Sequence, residues 1–396
     1  MVGTVRRAAG SLLVVGLGGT ELTGLERAWL KLVRPGGIIL FRRNITDAAQ
    51  TRALLDEATG LGARHGVRCV DVEGGTVNRL RDALSPIASV QAVAAAARRC
   101  LCSPTRATKN RRKNRAPRMS LARKHGELIA RAVKAFGFNT TLAPVVDLAL
   151  PEAADVLGSR TAGAIAAEVM DYAREFLAGV AAQGVAGCGK HFPGLGGAAG
   201  DTHFVTPEIQ RAWEQIWNED AVPYRELRRA MPLIMTNHAA YPHTPGKKQP
   251  ASASRFWITE TLRKRIDYKG IILSDDLEMG GILKFLPVED AAIAAIRAGS
   301  DLIEICHSPE LILRSFEALV AEAERSAAFR KILFTTARES ARKRARLYVR
   351  GVAPALSAKA LESLRSGIVQ FNETVAEVLQ AAEDAAPRAS SPAEAS

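Results

Sequence analysis

The run GIILSDDLEM, residues 270–279, begins with three consecutive aliphatic side chains after a glycine and stops abruptly at a serine and two carboxylates. A strand with one wet face alternates apolar and polar residues. A short, continuously apolar run is what a parallel strand shows when both its faces are covered. Seven other segments share this character: SLLVVGL from Ser11, GGIILF from Gly36, VRCVD from Val67, NTTLAPVVDL from Asn139, VAGCGKH from Val185, PLIMTNH from Pro232 and SDLIEIC from Ser300. The stretches between them carry helical period, as in GAIAAEVMDYAREFLAGVAAQ ahead of the fifth run. Eight strand–helix alternations predict an α/β fold, a TIM-type (β/α)8 barrel. A doubly wound sheet is the rival, but the glycines of GLGGTELTG, from Gly16, are wrongly spaced for a dinucleotide loop.

Polar residues gather where these runs end. Asp71 closes the third, Asp147 the fourth, Lys190 and His191 the fifth, Asn237 and His238 the sixth, Asp275 and Asp276 the seventh. In a parallel barrel all of these ends open on one face, which is where such folds carry their active sites. With 396 residues, 47% of them hydrophobic, the chain can fill a one-domain barrel of roughly 200 to 300 residues with room to spare. The barrel is expected over residues 1–350. Residues 351–396 are expected to add a helical extension, a helix or two running to about Glu383, and then a disordered tail rich in Ala, Pro and Ser.

Composition narrows the function classes. No apolar stretch approaches the ~20 residues of a membrane-spanning helix. The first residues, MVGTVRRAAGSLLVVGLGG, have the look of a signal peptide, yet the same apolar run reads equally as a first buried strand. The five cysteines are scattered and odd in number, which argues against a disulfide framework or a four-ligand zinc site and suits a reducing, cytoplasmic setting, with a secreted or periplasmic one as the alternative. The net charge of +13 is local: residues 98–124 hold eleven Lys and Arg and no acid, leaving +2 for everything else. The basic stretch, residues 98–118, reads as a solvated, disordered insertion or, more sharply, as a clamp for an anionic polymer. A nucleic-acid partner is disfavoured, and the oligomeric state is not readable.

Two stretches carry candidate chemistry. Asp275, rigidly held at the end of a buried strand, suits a nucleophile that must approach an electrophilic carbon closely. The same Ser274-Asp275-Asp276 triplet also suits a helix N-cap, Asp276 capping while Asp275 points inward. In KHFPGLGGAAGDTHF, from Lys190, Asp201 can hold one nitrogen of His203 while the other faces substrate as general acid and then base. A surface turn with an incidental histidine reads as well. Gly194, Gly196, Gly197 and Gly200 would let that loop swing. Metal binding by His191 and His203 lacks a third ligand at a familiar spacing.

Taken together, DVEGGTVNRL from Asp71, LAPVVDL from Leu142, GSR ending at Arg160, KHFPG with DTH, and SDDLEM resemble glycoside hydrolase family 3, in its bacterial β-N-acetylhexosaminidase branch. The resemblance runs from VRPGGIILFRRN, at Val33, to AGSDLIEICHSPE, at Ala298. It implies Asp275 as nucleophile, His203 as general acid/base and Asp201 as its orienting carboxylate. It implies Asp71, Arg79, Arg160, Lys190 and His191 as residues that hold an N-acetylglucosamine unit, and neither metal nor organic cofactor. The activity implied is that of a retaining exo-β-N-acetylglucosaminidase, acting on an N-acetylglucosamine-containing glycan or a muropeptide recycled from the cell wall. A β-glucosidase or phosphorylase on the same fold is one alternative. A catalytically silent sugar- or polyanion-binding protein is another. Leu195 replaces a common family histidine, and Val72 and Thr76 are further departures.

Overall fold

The structure, a computed structural model, describes residues 2–102, 120–198 and 206–384. Its strands in chain order are β1 (Leu13–Val15), β2 (Gly37–Leu40), β3 (Val67–Val70), β4 (Val72–Gly74), β5 (Val77–Asn78), β6 (Thr140–Thr141), β7 (Ala186–Phe192), β8 (Leu233–Thr236), β9 (Ile271–Asp276) and β10 (Leu302–Ile305). Eight of them close a parallel barrel in the order β1-β10-β9-β8-β7-β6-β3-β2. Each falls on one of the eight apolar runs, β7 running one residue beyond its own, to Phe192. Closure is made at β1, where Val14 pairs with Glu304 on one side and Gly37 on the other.

The continuous apolar runs follow from burial on both faces. Val14, Ile39, Cys69, Cys188 and Leu273 belong to one buried cluster, the barrel interior. Their chain neighbours Leu13, Val15, Ile38, Leu40 and Ile272 belong to a second cluster, under the helices. Burying one such aliphatic side chain stabilises the fold by ~1.5–3 kcal/mol. Of the barrel strands β6, in the fourth apolar run, is the shortest, because Pro144 has no amide to give the ladder; pairing resumes beyond it where Val146 N donates to Lys190 O at 2.7 Å.

Three features differ from the sequence expectation. The chain opens with a helix, Val2–Gly10, that precedes the first strand. The hairpin β4–β5 stands outside the barrel sheet, turned by Gly74 and Gly75 at φ 98° and 60°. Residues 98–102 are the last part of the helix Val90–Cys102 and not of a solvated insertion: Arg98 Nη1 donates to Ala162 O at 2.8 Å and Arg99 Nη1 to Leu379 O at 3.1 Å. The rest of the basic stretch lies outside the described residues, as does the tail beyond 384. At the end of the barrel remote from the polar mouth, Tyr348 follows the helix Ala327–Leu347 and joins the interior cluster, its hydroxyl 2.7 Å from Thr140 Oγ1. Buried Arg344, on that helix, donates to Gly36 O at 2.8 Å and Ser11 O at 3.3 Å. Beyond this, the long helix Ala358–Asp384 lies against the helices Val90–Cys102 and Leu121–Ala135. No helix among the described residues is long and apolar enough to cross a membrane.

Closure leaves no room at Gly16, just beyond β1: a Cβ there would stand 1.8 Å from Cys306 O. Gly16→Ala must push β1 and β10 apart, so urea unfolding should show a loss of at least ~1–3 kcal/mol. A midpoint equal to wild type would show that the seam between first and last strand yields freely.

Candidate active site

The mouth of the barrel is built around a chain of buried charges. Lys190, at the end of β7, places its ammonium 2.8 Å from Asp71 Oδ1 and 2.7 Å from Glu73 Oε1. Glu73, on β4, is gripped from its other side by Arg160, whose Nε and Nη2 both donate at 2.8 Å. Arg160 Nη2 lies 3.4 Å from His191 Nε2, and Arg79 Nη2 stands 3.8 Å from Asp71 Oδ2. All five residues expected to hold a sugar are thus brought together, and Glu73, which was not among them, joins them.

The electrostatics keep this cluster charged. Burial alone would push the carboxyl of Glu73 up, but the charges and hydrogen bonds of Arg160 and Lys190 hold it well below the ordinary carboxylate range. Asp71 is lowered in the same way, against its burial, by Lys190 and Arg79. Burial would lower Lys190, but Asp71 and Glu73 raise it above its ordinary value. The result is a preorganised set of ionised donors and acceptors. Asp71 keeps Oδ2 facing a guanidinium too distant for a hydrogen bond, and the buried Nε of Arg79 has no partner among the described residues. Such groups can grip hydroxyls and an amide strongly.

A second carboxylate, Asp147, holds the other half of the motif. It accepts from His191 Nδ1 at 2.7 Å, from His191 N at 3.2 Å and from Leu195 N at 2.8 Å. Asn237 Nδ2 donates to His191 O at 2.9 Å. Across the mouth, at the end of β9, Asp275 is half-buried, and its Oδ1 accepts from Asp276 N at 2.9 Å. Asp276 is buried and turned to the backbone: Oδ1 accepts from Glu278 N at 3.1 Å and Cys306 N at 3.2 Å. Burial, with the neighbouring carboxylates Glu278 and Asp275, raises Asp276 to about 7. His238 props this segment from below, Nε2 2.9 Å from Asp276 O and Nδ1 2.7 Å from Ser252 Oγ. Asp276 therefore serves the turn and leaves Asp275 open to the mouth.

The family model of the glycosyl hydrolase family 3 N-terminal domain matches residues 4–332. The chain belongs to this family. A beta-hexosaminidase of Idiomarina loihiensis is 35% identical over 295 residues, 74% of this chain and 83% of its own length. One from Chromobacterium violaceum is 34% identical over 299 residues, 75% of this chain and 79% of its own. Among solved structures, a family 3 β-N-acetylglucosaminidase from Paenibacillus matches with a TM-score of 0.79 and 28% identity, over 93% of this chain and 68% of its own. Native NagZ from Neisseria gonorrhoeae matches with a TM-score of 0.66 and 26% identity, over 83% of this chain and 97% of its own.

The departures from the family pattern are packed without loss. Leu195 is buried, its amide held by Asp147; Val72 is buried in β4 and Thr76 is exposed at the hairpin turn. Three glycines of the fifth loop are also required by packing. A Cβ would stand 2.8 Å from Asp220 Cβ at Gly194, 2.6 Å from Leu148 O at Gly196 and 2.9 Å from Arg211 Cδ at Gly197. Close approach demands these three. Gly200, Asp201 and His203 lie outside the described residues. Asp276, Glu278 and His307 offer ligand atoms within 4.8 Å of one another, but backbone amides and Arg43 already engage all three.

Glu73 is the member of the cluster whose loss is most exposed to test. Its folded pKa is depressed, so its contribution is full above its ordinary value of 4.5 and is lost as pH falls below that value. Glu73→Gln leaves two buried cations short of a counter-charge. Unfolding free energy at pH 7 should fall by ~3–5 kcal/mol, and the decline of stability below pH 4.5 should flatten. Urea titrations at neutral and acid pH read both; an unchanged midpoint at pH 7 would mean that Arg160 and Lys190 do not depend on it.

Proposed function

We propose that this glycoside hydrolase removes terminal, non-reducing β-linked N-acetylglucosamine with retention of configuration. The observation that carries the reading is the single mouth shared by the Asp71–Lys190–Glu73–Arg160–His191 cluster and the open carboxylate Asp275. The charged cluster fits the hydroxyls and acetamide of one sugar and would orient its anomeric carbon towards β9. Asp275 then attacks that carbon as the glycosidic bond breaks. The aglycone leaves with a proton from the imidazolium of His203, with Asp201 in the orienting role. In the second step water attacks the glycosyl–Asp275 ester, gives its proton to His203, and releases the sugar and the carboxylate.

The names of the relatives support the substrate class: the Idiomarina protein is a beta-hexosaminidase, and one Neisseria gonorrhoeae NagZ structure is a complex with N-trifluoroacetyl-D-glucosamine. We read the natural substrate as a cell-wall fragment, a muropeptide met in the cytoplasm. The barrel serves as the catalytic unit and the segment beyond residue 350 as its extension.

Turnover of a chromogenic β-N-acetylglucosaminide should exceed that of the matching β-glucoside by orders of magnitude, with no acceleration by phosphate. A preference for the glucoside, or a sugar phosphate as product, would reassign the enzyme within its fold. Asp275→Asn should abolish turnover and keep the fold, whereas Asp276→Asn should lose stability first. His203→Ala should slow substrates with poor leaving groups by ~10²- to 10⁴-fold and spare activated aryl glycosides. An identical leaving-group dependence in both enzymes would remove His203 from the acid/base role.

A further inference from the structure

The family match ends at residue 332, yet the helix Ala358–Asp384 lies close to the groups that organise the mouth. Its buried residues Leu364, Ile368, Phe371 and Val375 fall on one helical face. That face does more than cover the helices beneath it. Arg365 Nε donates to Leu84 O at 2.9 Å, Asn372 Nδ2 donates to Pro86 O at 3.0 Å, and Asn372 Oδ1 accepts from Ala88 N at 2.9 Å. The helix therefore holds the segment 84–88 by its backbone at three points.

The same segment faces the β4–β5 hairpin on its other side. Ser85 O accepts from Asn78 Nδ2 at 3.2 Å and Ile87 O accepts from Gly75 N at 2.8 Å. A Cβ on Gly74 would stand 2.3 Å from Ala88 O and 2.9 Å from His125 Nε2, so hairpin, segment and imidazole are in tight contact. The His125 ring is fully buried, takes Tyr172 OH at 2.8 Å on Nδ1, and stacks on Phe371 with centroids 5.7 Å apart and planes 16° from parallel. Glu73 is the residue next to Gly74, and it carries Arg160 and Lys190. Two routes, one through Asn372 and segment 84–88 and one through Phe371 and His125, thus run from the C-terminal helix to the turn that presents Glu73.

We infer that the helix Ala358–Asp384 is a positioning element of the active site, which sets the β4–β5 hairpin and through Glu73 the sugar-holding cations. The inference rests on the reading of this mouth as a sugar site. Groups that hold the non-reacting parts of the sugar act alike in ground and transition states, so their misplacement raises KM and leaves kcat nearly unchanged.

The test uses full-length variants. Asn372→Ala removes both bonds to segment 84–88 and Phe371→Leu removes the ring on His125. Val375→Ala, on the same buried face one turn further along, shortens an aliphatic side chain that makes no bond to the segment. For the chromogenic N-acetylglucosaminide, Asn372→Ala and Phe371→Leu should raise KM on the order of five- to tenfold with kcat within about twofold of wild type. Val375→Ala should keep the wild-type KM despite a lowered Tm. Hydrogen exchange gives a reading independent of activity: the Gly75 amide, bonded to Ile87 O, should exchange faster in Asn372→Ala and not in Val375→Ala. A wild-type KM and a protected Gly75 in Asn372→Ala would overturn the inference, and so would an equal rise of KM in Val375→Ala. If the wild type does not turn over the glycoside at all, the substrate reading fails, and the exchange result alone decides the positioning role.

Discussion

A carboxylate whose side chain is fully buried, Glu73, sits between two cations, and most of the mouth depends on that arrangement. Placing a charge out of water costs several kcal/mol unless partners meet it with good geometry. Here the bidentate Arg160 and the ammonium of Lys190 do so, and each cation is in turn kept ionised. Asp71 completes the set from the end of β3. The cluster needs no rearrangement to receive a polar ligand, because the cost of assembling like and unlike charges was met during folding. That is the physical sense in which the cluster is preorganised.

Around this core the barrel distributes support unevenly. Asp147 fixes the His191 ring and the backbone of Leu195, so the start of the fifth loop is held by a buried acceptor and by glycines that allow contact with Leu148, Arg211 and Asp220. On the opposite wall, Asp276 and His238 hold the turn after β9, and among the described residues Asp275, half-buried, accepts only from the Asp276 amide. Deeper in the barrel, burial together with the charges of Asp71, Asp275 and Asp276 pushes Glu304 well above the carboxylate range.

The barrel was legible because strands buried on both faces leave continuous apolar runs, and the polar residues that end them mark one rim. Asp71, Lys190 and His191 were visible as such ends; Arg79 and Arg160 needed the family resemblance, since nothing local separates them from surface arginines. Glu73 was missed although its signal was present: Gly74 and Gly75 between two valines mark a hairpin turn, and a strand turned back at that point presents its preceding carboxylate to the mouth. Asn372 and Phe371 were out of reach of any local reading, because their partners at 84–88 and at His125 are separated from them by most of the chain. The helix Val2–Gly10 was hidden because its two arginines ahead of the apolar run from Ser11 have the look of a signal peptide's start.

The central claim is that this mouth holds a sugar while Asp275 attacks its anomeric carbon. The most direct measurement is mass spectrometry of the protein after brief reaction with a fluorinated N-acetylglucosaminyl fluoride, which forms the glycosyl-enzyme but resists its hydrolysis. The account predicts one sugar per chain, attached within the peptide that contains Asp275 and absent from Asp275→Asn. A sugar attached at Asp276 or elsewhere, or turnover with inversion and no adduct, would contradict it.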